Sequence, residues 1–377
     1  MEVRIGDSIE CNPIVKLVKG NEYPLIDIDK ISVGRKLVTN KDTIVYEKQS
    51  GCKFQNGDTL MARITPCLEN GKMAMASIPD KGIGSTELFV FRGKKGITDN
   101  DFVYYFLKQS YIRNLAANSM TGASGRQRAD LKFIKKIKFD LPSLPIQQKI
   151  ASILSSYDRL IENNTRRIRL LEQMAENLYK EWFVRFQFPE HENVEMVNGL
   201  PKGWKVKRYE EELNIRYGKG LSTEQLKEEG YPVFGSNGQI GFYDSYMYED
   251  PQILISCRGA SSGIVNISLP KSFITSNSLI CERTEKTESL YEYLKYYFLN
   301  NNLVQYQTGS AQPQITINNI VKLKLLVPEL KVQRSFSEKI RVIDMEIYNI
   351  QSQIQLLTRQ RDLLLPRLMS GKLEVKS

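Results

Sequence analysis

An apolar stripe that occurs twice along the chain constrains its fold more than any other feature. In both copies the stripe residues are spaced alternately four and three positions apart, and each position of the first copy has a counterpart 186 residues later, as Ile150 has in Phe336. A sustained four-three spacing is typical of a coiled-coil seam. We therefore predict two long helices of equal length that pack on each other. The stripe residues are Ile150, Leu154, Tyr157, Ile161, Asn164, Ile168, Leu171, Ala175, Leu178 and Trp182 in the first copy, and Phe336, Ile340, Ile343, Ile347, Ile350, Ile354, Leu357, Arg361, Leu364 and Leu368 in the second.

Two stripe positions carry polar side chains. A buried Asn164 would fix the register of the two helices at some cost in stability, whereas an Asn164 that leans towards solvent would do nothing of the kind. Arg361 poses a similar question, and its long side chain could extend the guanidinium into water near the end of the helix.

The repeat extends beyond the stripe. Residues 104–107 recur as 296–299, residues 121–122 recur as 308–309, and residues 83–88 match 274–279, with Arg92 and Arg283 following in register. Arg63 resembles Arg258, each after a short apolar stretch. The offset falls from 195 at Arg63 to 186 in the stripe. Small insertions therefore lie in the globular parts, where loops tolerate them; in a seam they would rotate later residues off the interface.

Each half of the chain predicts a strand-rich globular domain followed by a long helix. The fold class is α/β (α+β) with a pseudo-two-fold internal repeat. We place the first domain at residues 1–142, the first helical segment at 143–187, a connector and the second domain at 188–328, and the second helix with a tail at 329–377. The helices are predicted at about 146–185 and 332–365, with Pro366 ending the second and Gly371 as a stop signal.

Charge and composition narrow the function classes. The chain has 377 residues, a formal net charge of +10 and five cysteines that never form a C-x-x-C motif. A basic excess of this size is typical of a polyanion binder, although a lysine-rich proteome would also produce it. The scattered cysteines indicate a reduced, cytoplasmic protein. No apolar run is long enough to span a bilayer, so we expect no membrane partner.

No catalytic or cofactor-binding motif is present. The single histidine, His191, excludes a histidine-based metal cluster and disfavours a Ser-His-Asp triad. Gly218-Lys219-Gly220 lacks the spacing of a phosphate-binding loop. We therefore expect no catalytic, cofactor-binding or metal-binding residue in this chain.

Both halves contain loops rich in Arg, Ser, Asn, Gln and Gly. Arginine can read guanine and Asn or Gln can read adenine in the major groove, while Ser can hold phosphates. The same residues also form ordinary turns, and only their recurrence in both halves of a basic protein favours DNA. The candidate DNA-contacting residues are Arg63, Lys72, Ser85, Thr86, Arg126, Gln127 and Arg128 in the first half, and Ser236, Asn237, Arg258, Ser261, Ser262, Ser276, Asn277, Gln312 and Gln314 in the second.

Over essentially its whole length the chain resembles the specificity subunits of type I restriction-modification systems. The resemblance rests on Leu-Pro-Ser-Leu-Pro-Ile-Gln-Gln-Lys-Ile at 141–150 and its partner at 327–334, on Tyr-Pro-Val-Phe-Gly-Ser-Asn-Gly at 231–238, and on Leu-Pro-Arg-Leu-Met-Ser-Gly-Lys-Leu at 365–373. Each stretch is a weak signal alone, but together they are specific because they occur in order and two of them are copies of each other.

The resemblance implies a non-catalytic subunit with two target-recognition domains, each reading one half of a bipartite, asymmetric site in double-stranded DNA. Two antiparallel helices would form a coiled coil and set the gap between the half-sites. Two modification subunits would bind S-adenosylmethionine and methylate adenine, and restriction subunits would use ATP and Mg. A two-armed adaptor that grips proteins, with its charge incidental, is the alternative.

Overall fold

The computed structural model describes residues 1–123, 125–309 and 312–374. The chain divides into two compact units, one formed by Met1–Arg167 with Ile350–Ser377 and the other by Ile168–Asn349. The division passes through both long helices, whereas the predicted boundaries separate each helix from its domain. Each unit thus contains one globular domain and one half of each long helix.

The first unit is built on mixed β-sheet. A sheet with the strand order β2-β10-β7-β8-β4 and another with the order β5-β3-β9-β6 form its centre, and β1 pairs with β11. The strands are β1 (Glu2–Arg4), β2 (Ile9–Cys11), β3 (Glu22–Ile26), β4 (Leu37–Val38), β5 (Thr43–Val45), β6 (Cys52–Gln55), β7 (Thr59–Ala62), β8 (Met73–Ala76), β9 (Lys81–Gly84), β10 (Leu88–Gly93) and β11 (Lys138–Asp140).

The central strands of this unit are buried on both faces. Because successive side chains of a strand point to opposite faces, Met61, Met73 and Phe89 join one apolar cluster, whereas Leu60 and Ala74 join another. This explains why β7, β8 and β10 are nearly continuous apolar runs and do not alternate with polar residues.

The helices of the first unit cover one of these faces. Asp99 accepts a hydrogen bond from the Phe102 N–H at 3.0 Å and so caps α2, and Asp130 caps α4 in the same way through the Lys132 N–H at 2.8 Å. The helices are α1 (Ile5–Ser8), α2 (Asn100–Lys108), α3 (Ser110–Asn118), α4 (Leu131–Lys136) and the long α5 (Leu144–Tyr179), which continues as a π-helical turn (Lys180–Val184); a 3-10 turn covers Ile28–Lys30.

The second unit repeats this plan with its own strands. One sheet has the order β15-β21-β18-β19 and another the order β17-β16-β20, while β14 pairs with β22 and β12 with β13. The strands are β12 (Met196–Val197), β13 (Leu200–Pro201), β14 (Lys205–Arg208), β15 (Leu213–Tyr217), β16 (Tyr231–Gly235), β17 (Gly238–Tyr243), β18 (Ile253–Ser256), β19 (Val265–Ile267), β20 (Phe273–Ile274), β21 (Ser278–Arg283) and β22 (Lys324–Val327).

The helices that begin in the second unit include the longest of the described chain, which ends in the first unit. They are α6 (Tyr209–Glu212), α7 (Tyr291–Asn300), α8 (Ile317–Ile320) and α9 (Leu330–Met369), with 3-10 turns at His191–Asn193, Thr223–Gln225 and Leu303–Tyr306. Within the described ranges, no helix combines the length and the apolar character that a bilayer-spanning segment needs.

A buried glutamine anchors each long helix to its domain. Gln147 accepts from the Asp99 N–H at 3.0 Å, and Gln333 accepts from the Leu290 N–H at 2.7 Å. Each amide group also donates to a carbonyl at the proline before its helix, Pro142 or Pro328. The two glutamines are 186 residues apart, so the anchor is part of the repeat.

This anchor corrects one match made from the sequence. Because Asp99 and Leu290 occupy the same place at the starts of α2 and α7, Tyr105 corresponds to Tyr296, and Tyr104 to Lys295. The hydroxyls of Tyr105 and Tyr296 accordingly donate to Asp158 and Asp344. The match of residues 104–107 to 296–299 was wrong by one position, which is about 100° around a helix.

The second long helix also extends further than the prediction. Pro366 does not end α9, which continues to Met369. Leu365 and Leu368 are buried in the core of the first unit, and this packing holds the last turn in place although Pro366 has no N–H to donate. Gly371 then adopts a left-handed conformation with φ of 68° and terminates the helix.

The predicted stripe is turned towards protein in both units, and none of its positions is exposed. In the first unit, Asn164 is buried and its amide donates to Gln353 at 3.3 Å. In the second unit, the Tyr179 and Trp182 rings lie 6.3 and 5.9 Å from the Phe336 ring. In the first unit, Asp158 bonds to Arg361 and the later Asn164 bonds to the earlier Gln353, so the two helices are antiparallel there.

Arg361 is buried and does not extend into water, which answers the question that the sequence left open. Its side chain is 4% exposed, and its guanidinium donates to Asp158 at 2.5 Å and to Asp362 at 2.9 Å. Asp158 also accepts from the Tyr105 hydroxyl, and burial together with the Asp158 charge raises the pKa of Tyr105. The stripe could not reveal this pairing because Asp158 lies beside the stripe and 203 residues from Arg361.

Candidate nucleic-acid interface

The first unit brings its predicted loops together at the ends of β7 and β10. The Arg63 N–H donates to the Glu87 carbonyl at 2.9 Å, the Ala129 N–H donates to the Arg63 carbonyl at 2.8 Å, and the Thr65 N–H donates to the Gln127 carbonyl at 3.0 Å. These bonds join three loops that are distant in sequence. We call the residues Arg63, Lys72, Ser85, Thr86, Arg126, Gln127 and Arg128 the first loop cluster.

The arginines of the first loop cluster have different surroundings. Arg128 forms a two-pronged pair with Glu87, with Nε 2.9 Å from one carboxylate oxygen and Nη2 2.6 Å from the other. This hydrogen bonding lowers the pKa of Glu87. The Arg63 guanidinium is half-buried, 5.0 Å from the centre of the Phe89 ring. Arg126 is exposed, and no acidic side chain of the described residues pairs with it.

The other members of the first loop cluster contribute less to an open surface. Ser85 uses its hydroxyl to accept from the Glu87 N–H at 3.1 Å and so shapes the turn before β10. Thr86 is exposed at the tip of that turn and Gln127 is half-buried. Lys72 is half-buried and donates to the Ile28 carbonyl at 3.2 Å.

The second unit assembles its loops by the same backbone pattern. The Cys257 N–H donates to the Asn277 carbonyl at 3.0 Å, the Ile315 N–H donates to the Cys257 carbonyl at 3.1 Å, and the Gly259 N–H donates to the Pro313 carbonyl at 3.0 Å. We call the residues Ser236, Asn237, Arg258, Ser261, Ser262, Ser276, Asn277, Gln312 and Gln314 the second loop cluster.

The side chains of the second loop cluster form an open polar surface with one exception. Arg258, Asn237, Asn277, Gln312 and Gln314 are exposed. The exception is Ser262, which is fully buried, so its hydroxyl does not face the surface.

Three serines of the second loop cluster are half-buried and support this surface. The Ser236 hydroxyl donates to the Asn277 carbonyl at 3.2 Å, and the Ser261 hydroxyl donates to the Asn237 side chain. The Ser276 carbonyl accepts from the Cys257 thiol at 3.5 Å.

The backbone pattern corrects the match between Arg63 and Arg258. Arg63 makes the bonds that Cys257 makes in the second unit, so Arg258 corresponds to Ile64, the next residue along the chain. A shift of one residue along an extended chain moves the side chain to the opposite face. This is why Arg258 is exposed while Arg63 packs on Phe89.

The same one-residue error affects the strands that follow. Residues 83–84 and 273–274 occupy equivalent places beside β3 and β16. In the sheets built around β10 and β21, Gly93 pairs with Ile9 and Arg283 pairs with Leu213. Arg283 therefore corresponds to Gly93 and not to Arg92, whose guanidinium pairs with the buried Asp58 at 2.7 Å.

Sequence reasoning missed Lys219 and Glu87. Lys219 is exposed, and its backbone bonds to Ile274 and Ser276 hold it beside the second loop cluster. The preceding Gly218 lies so close to the Thr275 carbonyl that a Cβ would be 2.3 Å from the oxygen, which is why glycine is required there. The Gly-Lys-Gly run was a signal for this residue, but it was tested only as a phosphate-binding loop. Ser124, Ser310 and Ala311, in the same predicted loops, lie outside the described residues.

Comparison with known proteins identifies the family. The family model of the type I restriction modification DNA specificity domain matches the chain twice, at residues 4–173 and 201–359. The chain belongs to this family. Each match includes one globular domain and most of one long helix, so the specificity-domain repeat coincides with the repeat predicted from the stripe. The predicted family and the predicted duplicated fold are both confirmed.

Members of the specificity-domain family with known roles are similar along most of their length. The chain is 24% identical to the type I restriction enzyme MjaVIII specificity subunit of Methanocaldococcus jannaschii, across all of this chain and 93% of that protein. It is 26% identical to the MjaIX specificity subunit of the same organism, across 75% of this chain and 71% of that protein. The crystal structure of a type I S subunit from M. genitalium has the same fold, with a TM-score of 0.58 and 16% identity over all of this chain and 96% of that one.

Proposed function

We propose that this chain is the DNA sequence-specificity subunit of a type I restriction-modification complex, with each loop cluster reading one half of a bipartite, asymmetric site in double-stranded DNA. The observation that carries the proposal is a shared backbone frame with different side chains. Arg128 and Gln314 are equivalent because each pairs its backbone with a threonine, Thr121 or Thr308. One frame that presents different hydrogen-bonding groups would read different bases, as an asymmetric site requires.

The exposed side chains suit contacts with bases and phosphates. Arg126 and Arg258 have their guanidinium donors available for guanine, and Asn277, Gln312 or Gln314 offer the paired donor and acceptor that adenine requires. Lys219 provides an exposed ammonium for a phosphate. The two-pronged pair of Arg128 with Glu87 would position these groups and would not itself read a base.

The chain would supply sequence choice and assembly, and no catalysis. Two modification subunits would bring S-adenosylmethionine and the pocket for a flipped adenine, since that pocket must be built around the transferred methyl group. Restriction subunits would bring ATP and Mg. The paired halves of α5 and α9 would set the gap between the half-sites. In this role the chain would work in the cytoplasm.

Methylation mapping tests the proposal directly. Expressed with its modification subunits in a host that lacks other methylation, the chain should direct adenine methylation to one bipartite, asymmetric sequence. Duplex binding by the same complex should weaken steeply with salt, because neutralised phosphates release counterions. Methylation or binding without sequence preference would contradict the proposal. Salt-insensitive binding to a protein, with no retention of duplex, would favour the adaptor alternative.

A further inference from the structure

A cavity of about 400 Å³ lies in the first unit, away from the first loop cluster except at Lys72. Part of its wall is apolar, formed by Met61, Met73, Leu107 and Leu365. Its volume falls within the range of small-molecule sites, which are commonly apolar pockets with a few directed polar groups. The wall also contains the cationic side chains of Lys72, Lys108, Arg113 and Arg361 against the single acid Asp362, and this excess of positive charge indicates the ligand.

Three of these cations, Lys72, Lys108 and Arg113, form no ion pair within the described residues. Lys108 has its ammonium nitrogen shielded from solvent, and no hydrogen-bond acceptor of the described residues reaches it; the nitrogen lies 5.5 Å from the centre of the Tyr104 ring. Arg113 packs against the Gly71 backbone, where a Cβ would be 2.8 Å from its Nη1, and it forms no ion pair with a described residue.

The acid in the wall is already engaged. Asp362 accepts from Arg361 at 2.9 Å, and Arg361 is further neutralised by Asp158 at 2.5 Å. Lys72 donates only to the neutral Ile28 carbonyl. Lys72, Lys108 and Arg113 therefore bring three positive charges without an ion-pair partner among the described residues to a partly apolar cavity, where the more distant Asp158 and Asp362 attract Lys108 only in part.

The cost of this arrangement is visible at Lys108. Burial, followed by the positive charge of Arg361, lowers the pKa of Lys108 to about 8. A shielded ammonium without an acceptor is unfavourable, and a bound anion would remove that penalty. The first turn of α3, at Ser110 and Tyr111, also lines the cavity, and its free N–H groups would add to the attraction for an anion.

The second unit has no charge at the places of Lys72, Lys108 and Arg361. The Ala62 N–H donates to the Lys72 carbonyl at 3.0 Å, and the Ser256 N–H donates to the Ile264 carbonyl at 2.9 Å. Lys72 and Ile264 are therefore counterparts. The start of α2 relative to α7 makes Leu299 the counterpart of Lys108, and the 186-residue offset makes Ala175 that of Arg361. All three counterparts are uncharged. The charges of Lys72, Lys108 and Arg361 are thus an addition to a shared backbone arrangement.

We propose that this cavity binds a small organic anion with an apolar body, such as a phosphate or carboxylate carried on a ring. The charged group would lie between Lys108 and Arg113, and the apolar body would lie against Met61, Met73 and Leu365. The site is separate from the proposed DNA contacts at Arg126 and Arg258. It therefore does not depend on the proposed function.

Calorimetric titration of the full chain at pH 7 and constant ionic strength tests this site. The probes are phenyl phosphate, inorganic phosphate, which lacks the apolar body, and phenol, which lacks the charge. We expect phenyl phosphate to bind at least tenfold more tightly than either of the others. Lys108→Met should weaken phenyl phosphate at least tenfold and leave phenol unchanged. Lys132→Met, which removes an exposed positive charge from α4, should leave all three unchanged.

Arg113→Gln serves as a second variant that keeps a polar side chain, and it should also weaken phenyl phosphate at least tenfold. The proposal is overturned if phenyl phosphate binds no more tightly than phenol or inorganic phosphate. It is equally overturned if Lys108→Met and Arg113→Gln bind phenyl phosphate as the unchanged chain does. Circular dichroism of each variant establishes that it is folded.

Discussion

The two units share their buried anchors and differ in what those anchors hold. Asp158 and Asp344 occupy equivalent positions on α5 and α9, and each accepts from a tyrosine hydroxyl. In the first unit, Asp158 also binds Arg361, which joins one long helix to the other. In the second unit, Asp344 binds Lys295, which joins a long helix to the domain. The acid is present in both units while its cationic partner differs. The shared buried structure therefore accepts different cations around the same acid.

The loop clusters show the same contrast at the surface of the protein. Backbone hydrogen bonds between loops have the same pattern in both units, yet Arg126 corresponds to Gln312 and Glu87 to Asn277. The shared backbone arrangement, which we call the frame, fixes the position of each side chain. The residue type at that position decides what the side chain can bind. Changes to the frame should therefore affect the whole protein, whereas changes at the surface should affect one half-site.

The largest effect is expected from an insertion in the frame. Four residues added after Arg166 should displace every later stripe position of α5 from its partners on α9. We expect loss of sequence-specific methylation, or a changed gap between the half-sites. Seven residues added to both long helices, after Arg166 and at the facing part of α9, preserve the stripe and should lengthen the gap without abolishing methylation. An unchanged gap in both variants would show that the helices do not set it.

The second prediction compares the two ion pairs of the frame. Arg361→Met leaves the buried Asp158 without its guanidinium partner and should lower the free energy of unfolding by about 3–5 kcal/mol. Lys295→Met breaks a pair whose acid is 29% exposed, and it should cost about 1 kcal/mol or less. Urea unfolding of both variants measures the difference. Equal losses would mean that the ion pair between the two long helices contributes no more to the free energy of unfolding than the pair between α9 and its domain.

The frame could largely be predicted from the sequence, because buried periodic residues repeat at a fixed offset. The two long helices follow from that period, and the duplicated α+β domains follow from the shorter repeats outside the stripe. The partner of Arg361 could not be predicted, since Asp158 lies off the stripe and far along the chain. Residue identity was even misleading at Tyr104, whose equivalent is Lys295, because only the hydrogen bonds of Gln147 and Gln333 reveal the register.

The loops of the candidate site could be predicted from the sequence, but which of their side chains are exposed could not. Arg63 and Arg258 look alike in sequence, yet one packs on Phe89 and the other is exposed, and a single residue of register separates them. The cavity could not be predicted at all, because β8, α2 and α9 come together only in the fold. Lys219 was visible as Gly-Lys-Gly, but its position beside the second loop cluster depends on backbone bonds to Ile274 and Ser276.

The third prediction uses pH to measure the cost in stability of the Lys108 charge, whose counterpart in the second unit, Leu299, is uncharged. The pKa of Lys108 in the folded protein, about 8, lies below its ordinary value of 10.5. Between these values the unfolded chain binds more protons, so this lysine adds stability as the pH rises and costs most below pH 8. Lys108→Met should therefore stabilise the ligand-free chain by about 3 kcal/mol at pH 7, and the gain should disappear towards pH 10.5.

Urea unfolding of the unchanged chain and of Lys108→Met at several pH values measures this difference in the free energy of unfolding. Cysteine and tyrosine groups with raised pKa values, such as Cys281, are present in both proteins and cancel. Lys132→Met provides the control and should show no pH-dependent gain. A destabilised Lys108→Met at pH 7 would mean that the ammonium is compensated in a way that its surroundings do not indicate.

The fourth prediction concerns the shared glutamine anchors. Gln147→Leu leaves one N–H and two carbonyl groups without partners, and Gln333→Leu leaves one N–H and one carbonyl group. Each change should lower the free energy of unfolding by about 2 kcal/mol. Gln147 also donates to the Ile97 carbonyl at 2.9 Å, a bond without a counterpart at Gln333 among the described residues, so the loss at Gln147 should be the larger by about 1 kcal/mol. A smaller loss at Gln147 than at Gln333 would contradict this order.

The smallest effect is expected at the surface, where the units differ most. Arg258→Ala should weaken recognition of one half-site by about 1–3 kcal/mol and relax the base preference there, while the other half-site is read as before. Arg126→Ala should do the reverse. Neither change should alter the free energy of unfolding by more than about 0.5 kcal/mol, since both side chains are exposed and lack acidic partners in the described chain. Methylation mapping of the two variants separates the half-sites, and equal loss at both from either variant would indicate a general contact with phosphates instead of reading by separate clusters.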